Sequence, residues 1–256
     1  MKIIFDSNVW RHVASPDNFP NDTSFIAFKK IKEGIKDGKI IPYISETVFT
    51  IESIRRKDRK EFISKYRPKI IFTDTIQDKS VKNSAVIQSD SSFHPGNHPI
   101  LAEHLRDAIS LGFRIIRCPR IAGIINPEIE DLRFKLIGDE LKNFHSKLFE
   151  VGEKIESKDA GFDQIRIIGE KYHNLWFKGI DLAPDEEWGY IANAMAEWAD
   201  GDSVSISIAL GCNYMCTRDS ATKAGNKSVF SENNLKWLKT EYGFETITPD
   251  ELAKLL

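Results

Sequence analysis

The sequence predicts an α/β fold: a parallel sheet covered by helices on both faces. Three observations predict it. Short, continuous apolar runs such as "KIIF" suit strands buried on both faces. Segments of helical spacing stand between these runs. The runs near the two ends of the chain, in "MKIIFDSN" and "YMCTRD", both stop at a carboxylate.

The elements follow in order. Residues 2–5 are the first strand. Residues 24–37 carry Phe25, Phe28, Ile31 and Ile35 at helical spacing, and Gly38 stops that helix. Residues 40–44 are the second strand. Ser45 caps a helix expected over residues 46–65, with Val48, Ile51 and Ile54 inward. Residues 74–97 are rich in Ser, Asp and Asn and read as a loop. Helical spacing returns at 101–111, a strand at 113–118, and helices at 128–155 and 163–176. Residues 186–198 form a helix that "ADGD" is expected to break, and a new helix begins at Ser203. A strand at 214–216, a helix at 233–242, a strand at 244–247 and a terminal helix with Pro249 in its first turn complete the chain. There is no internal repeat.

Composition sets limits. The 256 residues are 41% hydrophobic, enough for one elaborated domain. A net charge of -2 gives no global attraction for nucleic acid, so such a partner needs a local basic patch. Cys118, Cys212 and Cys216 are too few for a disulfide framework. With no signal peptide and no membrane-length apolar run, a cytoplasmic setting without a membrane is expected.

Ligands of open α/β sheets bind beyond the carboxyl ends of the strands. Asp6 and Asp219 follow strands, Asp202 stands at an expected helix start, and Glu52 lies on the helix after strand two. Singly, each has an ordinary explanation: a helix-start Asp is usually a cap and a helical Glu is usually solvated. Together they would repel one another unless cations neutralise them, and an all-oxygen set suits Mg²⁺ or Mn²⁺.

The same residues resemble a known family. "IIFDSN" with Asp6 and Asn8, "SETVFTIES" with Glu52, "DSVSISIALG" with Asp202, "YMCTRD" with Thr217 and Asp219, and the closing "FETITPDELAKL" are similar to PIN domains. The resemblance covers residues 1–65 and 186–256. It implies a Rossmann-like three-layer α/β/α sandwich, with residues 66–185 as a mainly helical insertion in a single domain. It also implies a Mg²⁺- or Mn²⁺-dependent nuclease, usually acting on RNA. Asp6, Glu52, Asp202 and Asp219 would be its metal-binding carboxylates, supported by Asn8 and Thr217. A toxin whose site is covered by an antitoxin-like partner, and a homo-oligomer, are further roles open to such a chain. Glu46 competes with Glu52, and Asp200 with Asp202. In each case the family's spacing favours the residue chosen. Asp107, followed by no Thr-x-Asp, is a decoy.

Arg55, Arg56, Lys57, Arg59 and Lys60 crowd the stretch after Glu52. They read either as a phosphate-tracking patch or as a solvated helix end. Arg114, Arg117 and Arg120 form a second, sparser basic set. His94 and His98 sit in a Pro- and Gly-containing stretch that suits a turn better than zinc. Two rival functions remain. One is a PIN-fold module that binds RNA or protein without cleaving. The other is a haloacid-dehalogenase-type phosphatase, which would want a second acid where Asn8 stands.

Overall fold

A computed structural model of the chain describes residues 1–55, 58–65, 69–77, 80–88, 99–119, 126, 128–219, 225 and 227–256. Among these residues the strands are β1 (Lys2–Phe5), β2 (Ile41–Ser45), β3 (Lys69–Gln77), β4 (Ser80–Gln88), β5 (Arg114–Ile116), β6 (Arg133–Phe134), β7 (Tyr214–Cys216) and β8 (Thr246–Ile247). The helices are α1 (Trp10–Ala14), α2 (Phe25–Lys36), α3 (Arg59–Lys65), α4 (Pro99–Leu111), α5 (Gly138–Glu156), α6 (Asp163–Glu170), α7 (Trp176–Leu182), α8 (Trp188–Ala209), α9 (Glu232–Tyr242) and α10 (Pro249–Lys254). A single π-helical turn, Val48–Glu52, follows β2.

Six strands form one all-parallel sheet in the order β6-β5-β2-β1-β7-β8. Alternate strand residues face opposite ways. Ile4, Tyr43, Ile116 and Met215 pack with side chains of α5, α8 and α9. Ile3, Phe5, Ile44, Ile115 and Cys216 pack with α1, α2, α4 and α10. Both faces of the sheet are therefore buried, which is why the strands read as unbroken apolar runs.

The strand order reverses at β1. From β1 the chain builds outward through β2, β5 and β6, then crosses back to β7 and β8 on the other side. The connections after β1 and β7 diverge, and in open α/β sheets ligands bind beyond the carboxyl edge at such a point. The register pairs Phe5 with Cys216, so Asp6 and Thr217 emerge side by side.

Several sequence expectations are corrected. The stretch read as a loop begins inside a hairpin: β3 and β4 pair antiparallel, from Lys69 opposite Gln88 to Gln77 opposite Ser80. Nine paired rungs satisfy backbone groups whatever the polarity of the side chains, so a Ser- and Asn-rich composition did not preclude strands. The helix expected over 46–65 is split into the π turn and α3. The helix expected to start at 128 starts at Gly138, and 163–176 is divided between α6 and α7.

"ADGD" does not break its helix, since α8 runs unbroken through it. Gly201 is buried there, and a Cβ on it would come within 2.9 Å of the Gly161 Cα. The glycine allows a close backbone approach that stabilises the helix it would weaken in isolation. The strand expected at 113–118 joins the main sheet as β5. Thus β5 and β6, two of the six sheet strands, come from the segment 66–185.

The tightest helix contact is between α6 and α7. A Cβ on Gly169 would sit 2.1 Å from the Trp176 carbonyl oxygen, and one on Gly179 would sit 1.8 Å from the Gly169 oxygen. Gly169→Ala forces the two helices apart and is expected to destabilise the protein by about 2–3 kcal/mol. A denaturant titration should show a lower midpoint with an unchanged slope.

Candidate active site

Asp6 ends β1, and its amide still completes the ladder by donating to the Cys216 carbonyl at 3.0 Å. Its side chain is 5% exposed. Oδ1 accepts the Ser7 amide at 2.6 Å, and Oδ2 accepts the Thr217 hydroxyl at 2.6 Å. The Thr217 hydroxyl in turn accepts the Asp219 amide at 3.0 Å, and the Thr217 amide donates to Ile247 of β8 at 3.1 Å. One hydroxyl thus joins the two strand-end acids. Asn8 ties the same two loops, its Oδ1 accepting the Arg218 amide at 3.2 Å. The Arg218 guanidinium turns outward to both Asp22 oxygens at 2.7 Å and lies over the Phe28 ring.

Glu52 closes the π turn. Its Oε1 accepts the Ser7 hydroxyl at 3.2 Å, so Ser7 bridges Glu52 to the Asp6 loop. The wide turn is held by Arg59, which donates to the carbonyls of Glu52 at 3.2 Å, Ile54 at 3.2 Å and Ala192 of α8 at 3.0 Å. A π turn inserts one residue into the helical register and re-aims the side chain that follows. Here it delivers the acid to the Asp6 loop.

A further acid on α8 lies in the field of these groups. The charges of Asp6, Glu52, Glu197 and Asp219 all act on Asp200, which is half-buried on α8. Asp202 lies two residues further on, about 200° around the helix axis. Asp202 is buried, 1% exposed, at the level of α8 where Asp200 meets those charges. The family's spacing preferred Asp202 because it places Ala209 and Leu210 at the usual distance. A continuous α8 leaves that spacing unchanged and places both acids on one helix.

The acids feel one another. Burial pushes Asp6 up to about 6, the Thr217 hydrogen bond pulls it back, and the Asp219 charge raises it again. Glu52 is pushed up to about 8, first by burial and then by Asp6, with Arg59 opposing. Asp200 is raised by burial and then by Asp6 and Glu52. Without a counter-ion the cluster retains protons near neutrality. Its all-oxygen chemistry fits a hard divalent cation. Among the described residues, however, no three His, Cys, Asp or Glu side chains are grouped so as to hold a metal ion between them. The acids share a field and are not a closed cage.

Other sequence candidates take different places. Glu46, the alternative to Glu52, is 2% exposed, forms an ion pair with Arg133 at 2.6 Å and accepts the Cys118 amide at 2.9 Å. It fastens the ends of β2, β5 and β6 together. Asp107 accepts the Ser15 hydroxyl at 2.6 Å, away from the acids. Of the basic stretch, Arg59 serves the π turn, and Lys60 reaches the Ala183 carbonyl at 2.7 Å and Asp185 at 3.1 Å. Arg55 is exposed. Arg56, Lys57, Arg120, His94 and His98 lie outside the described residues. Arg59 had no separate sequence signal, because a clamp to backbone carbonyls and a phosphate ligand look the same in sequence.

Against known proteins the chain stands apart: no family model, curated protein or solved structure matches it. No helix among the described residues is long and apolar enough to cross a membrane.

Two consequences are measurable. Asp6 and Glu52 hold protons in the folded state that the unfolded chain has already lost above pH ~4. The native state therefore binds more protons between about pH 4 and 8, and raising pH through that window removes stability. The Tm of metal-free protein is expected to fall across it. Glu52→Gln should flatten the upper part of the curve and Asp6→Asn the lower part. Separately, Thr217→Val deletes the donor that holds Asp6 down. The Asp6 carboxyl should then titrate above about 6 in an NMR pH series.

Proposed function

We propose that the protein is a metal-dependent nuclease of the PIN type, with a Rossmann-like sandwich fold, that hydrolyses phosphodiester bonds in RNA. The observation that carries this reading is the linkage of three acids where the strand order reverses: Asp6 to Asp219 through the Thr217 hydroxyl, and Asp6 to Glu52 through Ser7. Acids that raise one another's pKa cost stability, and a cation that neutralises them gives the arrangement a use. Mg²⁺ or Mn²⁺ bound there would supply an activated water and stabilise the leaving oxygen. The chain's own contribution is positional. Thr217 and Ser7 orient the Asp6 carboxylate, Ser7 and Arg59 set Glu52, and Asn8 holds the Asp219 loop against the Asp6 loop.

Asp202 keeps its role in this reading, with Asp200 beside it on α8 in the same field of charges. The alternative, a PIN-fold module that binds RNA or protein without cleaving, draws on the absence of a preformed three-ligand group among the described residues.

Cleavage of labelled single-stranded RNA with Mn²⁺, Mg²⁺ or EDTA separates the two. Activity should require the metal. Asp6→Asn and Asp219→Asn should each cost on the order of a hundredfold or more, beyond the effect of losing an outer-shell partner. Asp202→Asn should be as damaging as these, and Asp200→Asn less so. No cleavage by wild-type protein under any metal condition would leave the binding module.

A further inference from the structure

A second cavity opens at the same edge of the sheet, between the ends of β5 and β6 and the first turns of α5. Its volume is about 560 Å³, within the range of small-ligand sites. Phe134, Leu136 and Phe144 line its apolar wall, and Arg117, Lys135 and His145 its polar side. Arg117 and Lys135 are exposed and make no ion pair among the described residues. The lining's acid, Glu130, is paired with Arg133. A net positive rim thus surrounds an apolar floor. The Arg114 guanidinium lies 4.5 Å from the Phe134 ring centroid, which stiffens that ring. Burial and the Arg117 charge lower the His145 pKa, so at neutral pH its imidazole can both donate and accept.

A flat, apolar, hydrogen-bonding body attached to an anion matches this lining, and a nucleotide has that form. Position favours a nucleotide within a strand. Two strand spacings, about 10 Å, separate the ends of β5 and β1, so a strand following the carboxyl edge meets both the cavity and the acids. We propose that this cavity is a subsite for one nucleotide of a single-stranded RNA, the base against Phe134 and the phosphate at Arg117 and Lys135. The choice of RNA rests on the nuclease reading.

The test is fluorescence-anisotropy titration of a short labelled single-stranded RNA in EDTA. Phe134→Leu keeps the apolar volume and removes the flat ring. Arg117→Gln with Lys135→Gln removes exposed charge without touching the core. Each variant should bind about tenfold more weakly than wild type, the double charge variant with a shallower salt dependence. Asp219→Asn should bind at least as tightly as wild type, and adenosine monophosphate should shift Phe134 and His145 NMR signals. Unchanged affinity in both cavity variants overturns the subsite, as does an acidic, tyrosine-containing peptide that outcompetes RNA for the cavity. The two readings fail separately. Wild type that binds RNA through the cavity but never cleaves it with Mn²⁺ sinks the nuclease and leaves the subsite. Cavity variants that cleave with unaltered KM sink the subsite and leave the nuclease.

Discussion

The hydrogen bond from the Thr217 hydroxyl to the buried carboxylate of Asp6 is the contact on which the site depends. It forms because Phe5 and Cys216 are paired in register, so the two side chains leave adjacent strands at one level. A buried carboxylate is costly unless its oxygens are satisfied. Both Asp6 oxygens are, one by Thr217 and one by the Ser7 amide. Those bonds allow an acid at the strand-order reversal, and with Asp6 fixed the neighbouring acids come under its charge. A methyl in place of the hydroxyl would break both the Asp6 bond and the link to the Asp219 amide.

Much of this was legible in the sequence. Apolar runs ending in Asp6 and Asp219 mark strands and their carboxyl ends, because a strand buried on both faces leaves polar residues nowhere else to go. Glu52, Asn8 and Thr217, singled out by the family resemblance, each contact the Asp6 or Asp219 loop. The continuity of α8 was not legible for a definite reason. "ADGD" carries local signals for a helix end, and the close approach of Gly201 to Gly161 overrides them. Local propensity is worth about 1 kcal/mol at a glycine, less than the burial of a long helix face supplies. Likewise, nothing local reveals that Arg59 clamps a π turn, or that the polar stretch 80–88 is a strand paired with 69–77.

The middle segment is better understood as part of the sheet than as an appendage. Glu46, at the end of β2, holds Arg133 of β6 and the Cys118 amide just after β5. That buried ion pair extends the sheet edge outward from the acids and sets one wall of the second cavity. Burial pushes Glu46 up to about 7 while Arg133 opposes it, so the pair survives in the interior because each charge has its partner. Glu52, linked to the Asp6 loop, and Glu46, which fastens the sheet edge, therefore lie only a few residues apart in sequence, at the end of the π turn and just before it.

The central claim is that the acid cluster is completed by a divalent cation. Its most direct test is calorimetric titration of Mn²⁺ into the protein at pH 7 in two buffers of different ionisation enthalpy. If Glu52 holds its proton at pH 7, binding must displace it. The account predicts saturable binding with proton release, both lost in Asp6→Asn. Absence of binding, or binding with no proton release and no sensitivity to Asp6, would contradict it.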